Sequence, residues 1–75
     1  MDERVRAIVA QVLGLPPSEV TPETSAETCA AWDSLRHYEL ILALEGELAV
    51  RFSSDQIPTL TTVAAIQDAV KAQRP

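Results

Sequence analysis

The chain has 75 residues, a net charge of −5 and a single cysteine, and its 47% hydrophobic content is enough for one apolar core. The acidity disfavours nucleic acid and anionic membrane surfaces as partners. The lone Cys29 excludes an internal disulfide, and no run of 18 apolar residues is present to span a bilayer. The N-terminal charges Asp2, Glu3, Arg4 and Arg6 leave no apolar leader there. The expectation is one domain over residues 1–75, soluble, monomeric and cytoplasmic.

The first element runs from about Asp2 to Leu13, where Val5, Ile8, Val9 and Val12 recur at i, i+3, i+4 and i+7 of an amphipathic helix. Gly14 supplies a left-handed end and Pro16-Pro17 prevent continuation. Residues 14–33 form a long connection rich in Pro, Ser, Thr and Glu. Leu15 and Val20 are placed to tack it to the core, and Pro17-Ser18-Glu19-Val20 suits a single helical turn. Within it Cys29 reads as a small hydrophobe or loop residue and not as a reactive thiol, since nothing nearby supplies positive charge. Trp32, just before Asp33-Ser34, is expected to pack under this loop, with a place bordering the path away from the serine as the alternative.

The second helix is expected over Ser34 to Ala49, with Asp33 or Ser34 as its N-cap. Gly46 lies inside it, which implies either fraying or the close approach of a neighbour. At about 100° per residue the apolar residues divide into two stripes. Leu40, Ile41, Leu44 and Leu48 form an arc wide enough to face a core, with His37 near its N-terminal end. Leu35, Tyr38, Leu42 and Ala49 form another, edged by Glu39 and Glu45, and this second strip is either buried or a partner surface. Beyond it Phe52 is a core anchor. Ser53 or Ser54 then caps a short turn through Asp55-Gln56-Ile57 that Pro58 closes. Thr61 or Thr62 starts the last helix, in which Val63, Ile66 and Val70 recur at helical spacing and Lys71 and Arg74 suit the C-terminal end of the dipole.

Acidity is concentrated around the second helix. Between Glu19 and Glu47 stand seven acids against one base, Arg36. Such a surface steers toward basic patches, unless it is only a solvated face. Ser34 stands at a helix start, where the positive end of the macrodipole and unpaired N–H groups favour a phosphate esterified to its hydroxyl; a plain cap is the bland alternative. A hydrolase built on Ser34 and His37, with Asp33 or Glu39 orienting the histidine, would need a shielded cleft and oxyanion donors that a small bundle has little room to build. One His, one Cys and scattered carboxylates match no metal-ligand spacing, so no metal site and no catalytic residues are expected.

Asp33-Ser34-Leu35, followed by Glu39-Leu40-Ile41-Leu42-Ala43-Leu44-Glu45 and later by Ile57-Pro58-Thr59-Leu60-Thr61-Thr62-Val63, resembles the acyl carrier proteins over nearly the whole chain. The resemblance implies an all-α four-helix bundle, three longer helices and one short, with a long loop between the first two. It implies a carrier and not an enzyme, with Ser34, flanked by Asp33 and Leu35, as the attachment residue for 4′-phosphopantetheine. A phosphopantetheinyl transferase, using coenzyme A and Mg²⁺, would direct the Ser34 hydroxyl onto the β-phosphorus of coenzyme A. The terminal thiol of the arm then holds acyl groups as thioesters for fatty-acid, polyketide or related synthesis; a peptidyl or aminoacyl carrier is the alternative, and a non-carrier acidic adaptor the alternative outside the class. Leu35, Tyr38, Glu39, Leu42 and Glu45 form the face expected to meet the transferase and acyl-loading, ketosynthase or acyltransferase-type enzymes bearing basic docking patches. Ala31, Trp32 and Arg36-His37 depart from the family's usual residues, and these departures bear on the pathway and not on attachment.

Overall fold

A computed structural model describes residues 2–73. Asp2, itself in extended conformation, is the N-cap whose carboxylate accepts the N–H groups of Arg4 at 2.9 Å and Val5 at 3.4 Å, so α1 begins at the next residue and spans Glu3–Leu13. Its apolar face, Val5, Ile8, Val9, Ala10 and Leu13, is buried. Gly14 ends the helix in the left-handed region at φ 68°, where a residue with a Cβ is disfavoured, and its N–H closes onto the Ala10 carbonyl.

The connection from residue 14 to 33 is ordered although it contains no α-helix. A 3₁₀ turn at Pro17–Glu19 delivers Val20 into the core. Beyond it the loop is stitched to the start of the last helix: Ala26 N–H donates to the Thr61 carbonyl at 2.9 Å, Val63 N–H to the Thr24 carbonyl at 2.9 Å, and Ala64 N–H to the Pro22 carbonyl at 3.0 Å. Trp32, near the end of the loop, is buried.

α2 spans Ser34–Leu48. Of its two apolar stripes, Leu40, Ile41, Leu44 and Leu48 are buried, whereas Leu35, Tyr38 and Leu42 are exposed. The helix stops one residue earlier than its pattern suggests, because Ala49 adopts the left-handed conformation at φ 56° and is solvent-exposed instead of extending the strip. Gly46 lies in unbroken helix with nothing within 4 Å of where a Cβ would stand, so neither fraying nor a close neighbour accounts for it. The guanidinium of Arg4 on α1 donates to the Glu47 carbonyl at 2.9 Å, satisfying one of the unpaired acceptors at the end of α2.

The segment after α2 turns inward through buried Val50 and Phe52. Ser53 Oγ accepts Gln56 N–H at 3.2 Å, and a second 3₁₀ turn follows at Ile57–Thr59. Pro58 sits inside that turn and does not close it: a helical φ and a missing N–H cost nothing in a first turn. Thr62 is the cap of α3, Val63–Gln73, accepting Ala65 N–H at 3.0 Å. Val63, Ile66, Ala69 and Val70 complete a single apolar core shared by all three helices and the loop. Near the end of α3 the Gln73 amide pairs with both backbone groups of Arg51, at 2.6 and 2.8 Å. Lys71 lies in the last turn as expected, while Arg74 falls outside the described residues. Among the described residues the three longer helices, the long loop and the all-α class are as the resemblance implies, with two 3₁₀ turns where one short helix is expected.

Candidate functional site

Ser34 is the first residue of α2 and is exposed. Asp33, in extended conformation, is the N-cap: its carboxylate accepts Arg36 N–H at 2.8 Å and its carbonyl accepts His37 N–H at 2.8 Å. The bond from His37 is the first regular one of the helix; of the N–H groups of the three residues before it, those of Ser34 and Leu35 are accepted by no described residue. The hydroxyl thus stands at the positive end of α2 beside two open donors.

Next to it lies a cavity of about 490 Å³, lined by Ala26, Trp32, Asp33, Ser34, His37, Ile57, Pro58 and Thr61. Three separate segments build its walls: the end of the long loop, the first turn of α2, and the second 3₁₀ turn with the residues after it. His37, half-buried, joins them. Its Nδ1 accepts the Trp32 indole N–H at 3.0 Å, its Nε2 lies 2.9 Å from the Ile57 carbonyl oxygen, and its ring stacks on that of Trp32 with centroids 6.1 Å apart. With both ring nitrogens engaged, neither is left to activate Ser34, and the hydrolase arrangement is not assembled.

Beyond the hydroxyl, Leu35, Tyr38 and Leu42 present 68%, 59% and 51% of their surface to solvent. Large apolar side chains exposed together at i, i+3 and i+7 on one helix form a patch of the kind that partners cover. Glu39 borders it and pairs with Arg36 at 3.4 Å, while the Arg36 guanidinium also donates to the Val12 carbonyl at 3.4 Å. Glu45 has a structural task besides: its Oε2 accepts Phe52 N–H at 3.0 Å, holding the chain that leaves α2. The structure therefore brings Asp33, Ser34, Leu35, Tyr38, Glu39 and Leu42 onto one end and side of α2, with Glu45 half-buried at their margin.

Sequence reasoning missed Ala26, Ile57, Pro58 and Thr61 as cavity walls, since no local pattern marks residues that meet only after folding. The link between Trp32 and His37 had a faint signal, the chain's single Trp five residues before its single His across a helix start. Among the described residues no group of His, Cys, Asp and Glu could hold a metal ion, and no helix is long and apolar enough to cross a membrane.

Ser34 is thus an exposed hydroxyl at an open helix start with an apolar-walled cavity beside it, a place where a tethered group can be accommodated. The sequence model of the family described as phosphopantetheine attachment site matches residues 3–70. The chain is 41% identical over 66 residues to the acyl carrier protein of Thermosynechococcus vestitus, a match covering 88% of this chain and 82% of that one. The solution structure of a holo acyl carrier protein from Geobacter metallireducens superposes with a TM-score of 0.83 at 33% identity, over 93% of this chain and 80% of that one. The chain belongs to the acyl carrier protein family. It is a carrier and not an enzyme, and phosphopantetheine is its prosthetic group.

Proposed function

We propose that Ser34 is the residue to which phosphopantetheine is joined, that Asp33 and Leu35 set its position, and that residues 1–75 act as one carrier domain. The observation that supports this most directly is the exposed Ser34 hydroxyl on the first residue of α2, beside two N–H groups that no other described residue uses. A phosphodiester on Ser34 Oγ places its anionic oxygens at the positive end of the helix, within reach of those donors. Asp33 keeps the first turn wound through Arg36 N–H and so fixes the direction in which the hydroxyl leaves the surface. Trp32, Ile57 and Pro58 offer apolar walls to whatever leads away from Ser34. When bound, the arm supplies a thiol that holds acyl groups as thioesters.

The exposed strip Leu35, Tyr38 and Leu42, with Glu39 and the free oxygen of Glu45, is the proposed docking face. Its apolar centre and acidic margin fit enzymes with basic patches: a phosphopantetheinyl transferase first, then acyl-loading, ketosynthase or acyltransferase-type enzymes. The Glu39–Arg36 pair is exposed on both sides and contributes about 0–1 kcal/mol, so Glu39 can exchange it for a partner's base at little cost. The setting proposed is a monomer in the cytoplasm, serving fatty-acid, polyketide or related acyl synthesis.

The test is intact mass after incubation with coenzyme A, Mg²⁺ and a broad-specificity phosphopantetheinyl transferase. The unmutated chain should gain one phosphopantetheine, and Ser34→Ala, which removes only an exposed hydroxyl, should gain none while keeping its helical circular dichroism. A modified Ser34→Ala, or an unmutated chain that several such transferases leave unchanged, overturns the assignment.

A further inference from the structure

The single tryptophan and the single histidine of this chain meet at the cavity beside Ser34. Because His37 Nδ1 receives the indole N–H of Trp32, it carries no proton; the proton of the neutral ring is on Nε2 and is donated to the Ile57 carbonyl. The two neighbours thus fix one tautomer, and the ring ties the end of the long loop to the second 3₁₀ turn across the first turn of α2. Trp32 itself is 3% exposed, so His37 is the acceptor its indole N–H depends on.

We propose that His37 is a positioning residue for the group carried on Ser34: its neutral ring ties the Trp32 wall of the cavity to the Ile57 wall, and protonation of the ring frees the Trp32 wall. The relevance to the carried group rests on Ser34 being the attachment residue, whereas the tie is a property of the unmodified chain. A proton added at Nδ1 converts the acceptor into a donor that confronts the indole N–H, and a buried donor is left without a partner. The bond from Nε2 to Ile57 is unaffected, so the change falls on Trp32 alone.

The charges around the ring do not hide this response. At the start of its own helix Asp33 is the one charged residue lining the cavity, and one of its oxygens is committed to Arg36 N–H. The Arg36 guanidinium is turned away, toward the Val12 carbonyl and Glu39. The loop contributes Ala26 and Trp32 to the cavity, and the segment from the second 3₁₀ turn onward contributes Ile57, Pro58 and Thr61, none of them charged; α1 and α3 contribute no residue to it.

Since Trp32 is the only tryptophan, acrylamide quenching of its emission reads the wall without a label. On the unmodified chain, lowering the pH from 8 to 5, through the range in which histidine ordinarily changes charge, should raise the quenching constant about threefold and move the indole N–H resonance along a one-proton curve. In His37→Gln the side-chain amide keeps a donor for the Ile57 carbonyl but takes up no proton, and its profile should be flat. A flat profile in the unmutated chain, or an equal rise in His37→Gln, overturns the proposal. Should His37→Gln not fold, the unmutated chain decides alone: His37 ring signals and the indole N–H must titrate together, and independent titration counts against the tie. Neither measurement uses coenzyme A, so failure here and failure of the Ser34 mass test are separate results.

Discussion

The starts of α2 and α3 face the same problem and meet it in opposite ways. Each helix begins with four N–H groups that its own turns cannot satisfy. At α3 those of its first three residues are all taken: Val63 and Ala64 donate to the loop carbonyls of Thr24 and Pro22, and Ala65 to the Thr62 hydroxyl. At α2 the Asp33 carboxylate takes that of Arg36, and among the described residues nothing accepts from Ser34 or Leu35. The long loop therefore helps to seal the start of α3 through its Thr24 and Pro22 carbonyls, and it leaves the start of α2, where Ser34 stands, open. An open start is tolerable on α2 because that helix is held from its other face, by Leu40, Ile41, Leu44 and Leu48.

The largest effect expected follows from that division of labour. Leu44 is fully buried, and Leu44→Ala should cost about 2–5 kcal/mol of unfolding free energy, a large part of what a chain this short holds. Leu42, two residues away on the exposed strip, should change stability by no more than about 0.5 kcal/mol when cut to Ala. Urea unfolding of the two variants checks both; comparable losses would mean that the exposed strip is part of what holds α2.

A matched pair of prolines addresses the two starts directly. Leu35 and Ala64 are each the second residue of a helix and each exposed, so proline at either site imposes the same restriction on the residue before it. Only Ala64→Pro also removes a used donor, the one to Pro22. It should therefore be about 1 kcal/mol more destabilising than Leu35→Pro, the net worth of one hydrogen bond, as read by thermal or urea unfolding. Equal losses would show that the α2 donors are engaged after all.

What could be read in the sequence follows the range of the forces involved. Helical periodicity separated the buried stripe of α2 from Leu35, Tyr38 and Leu42, because which way a helical residue points is settled by spacing alone. Capping is equally local, and it put Ser34 at a helix start. In residues 14–33 the turn at Pro17–Glu19 and the tacking by Leu15 and Val20 were legible, but the bonds that stitch the loop to α3 were not, since they join backbone groups and leave no side-chain signature. The cavity was hidden for a related reason: Trp32, Ile57 and Thr61 become neighbours only once the helices pack. Glu45 read only as an acidic edge of the expected partner face, because its bond to Phe52 N–H depends on the path the chain takes after α2.

The other end of α2 carries the smallest expected effect, and there two residues stand in each other's usual places. Gly46 occupies unbroken helix with open space where a Cβ would go, and glycine there costs about 0.5–1 kcal/mol relative to alanine. Ala49 ends the helix in the left-handed region, where a Cβ crowds the following carbonyl and strains the backbone by about 1–2 kcal/mol that glycine would not feel. This is why the pattern overran the helix end: alanine reads as a helix former, whatever backbone it finally adopts. Gly46→Ala should raise the unfolding free energy by about 0.5–1 kcal/mol, and Ala49→Gly by somewhat less than the strain it relieves, since glycine also gives the unfolded chain more freedom. Both changes lie more than two turns from Ser34, so the combined variant should unfold later while accepting phosphopantetheine at the unmutated rate. A slower rate in a more stable protein would instead show that looseness at the C-terminal end of α2 is used by the partner enzyme.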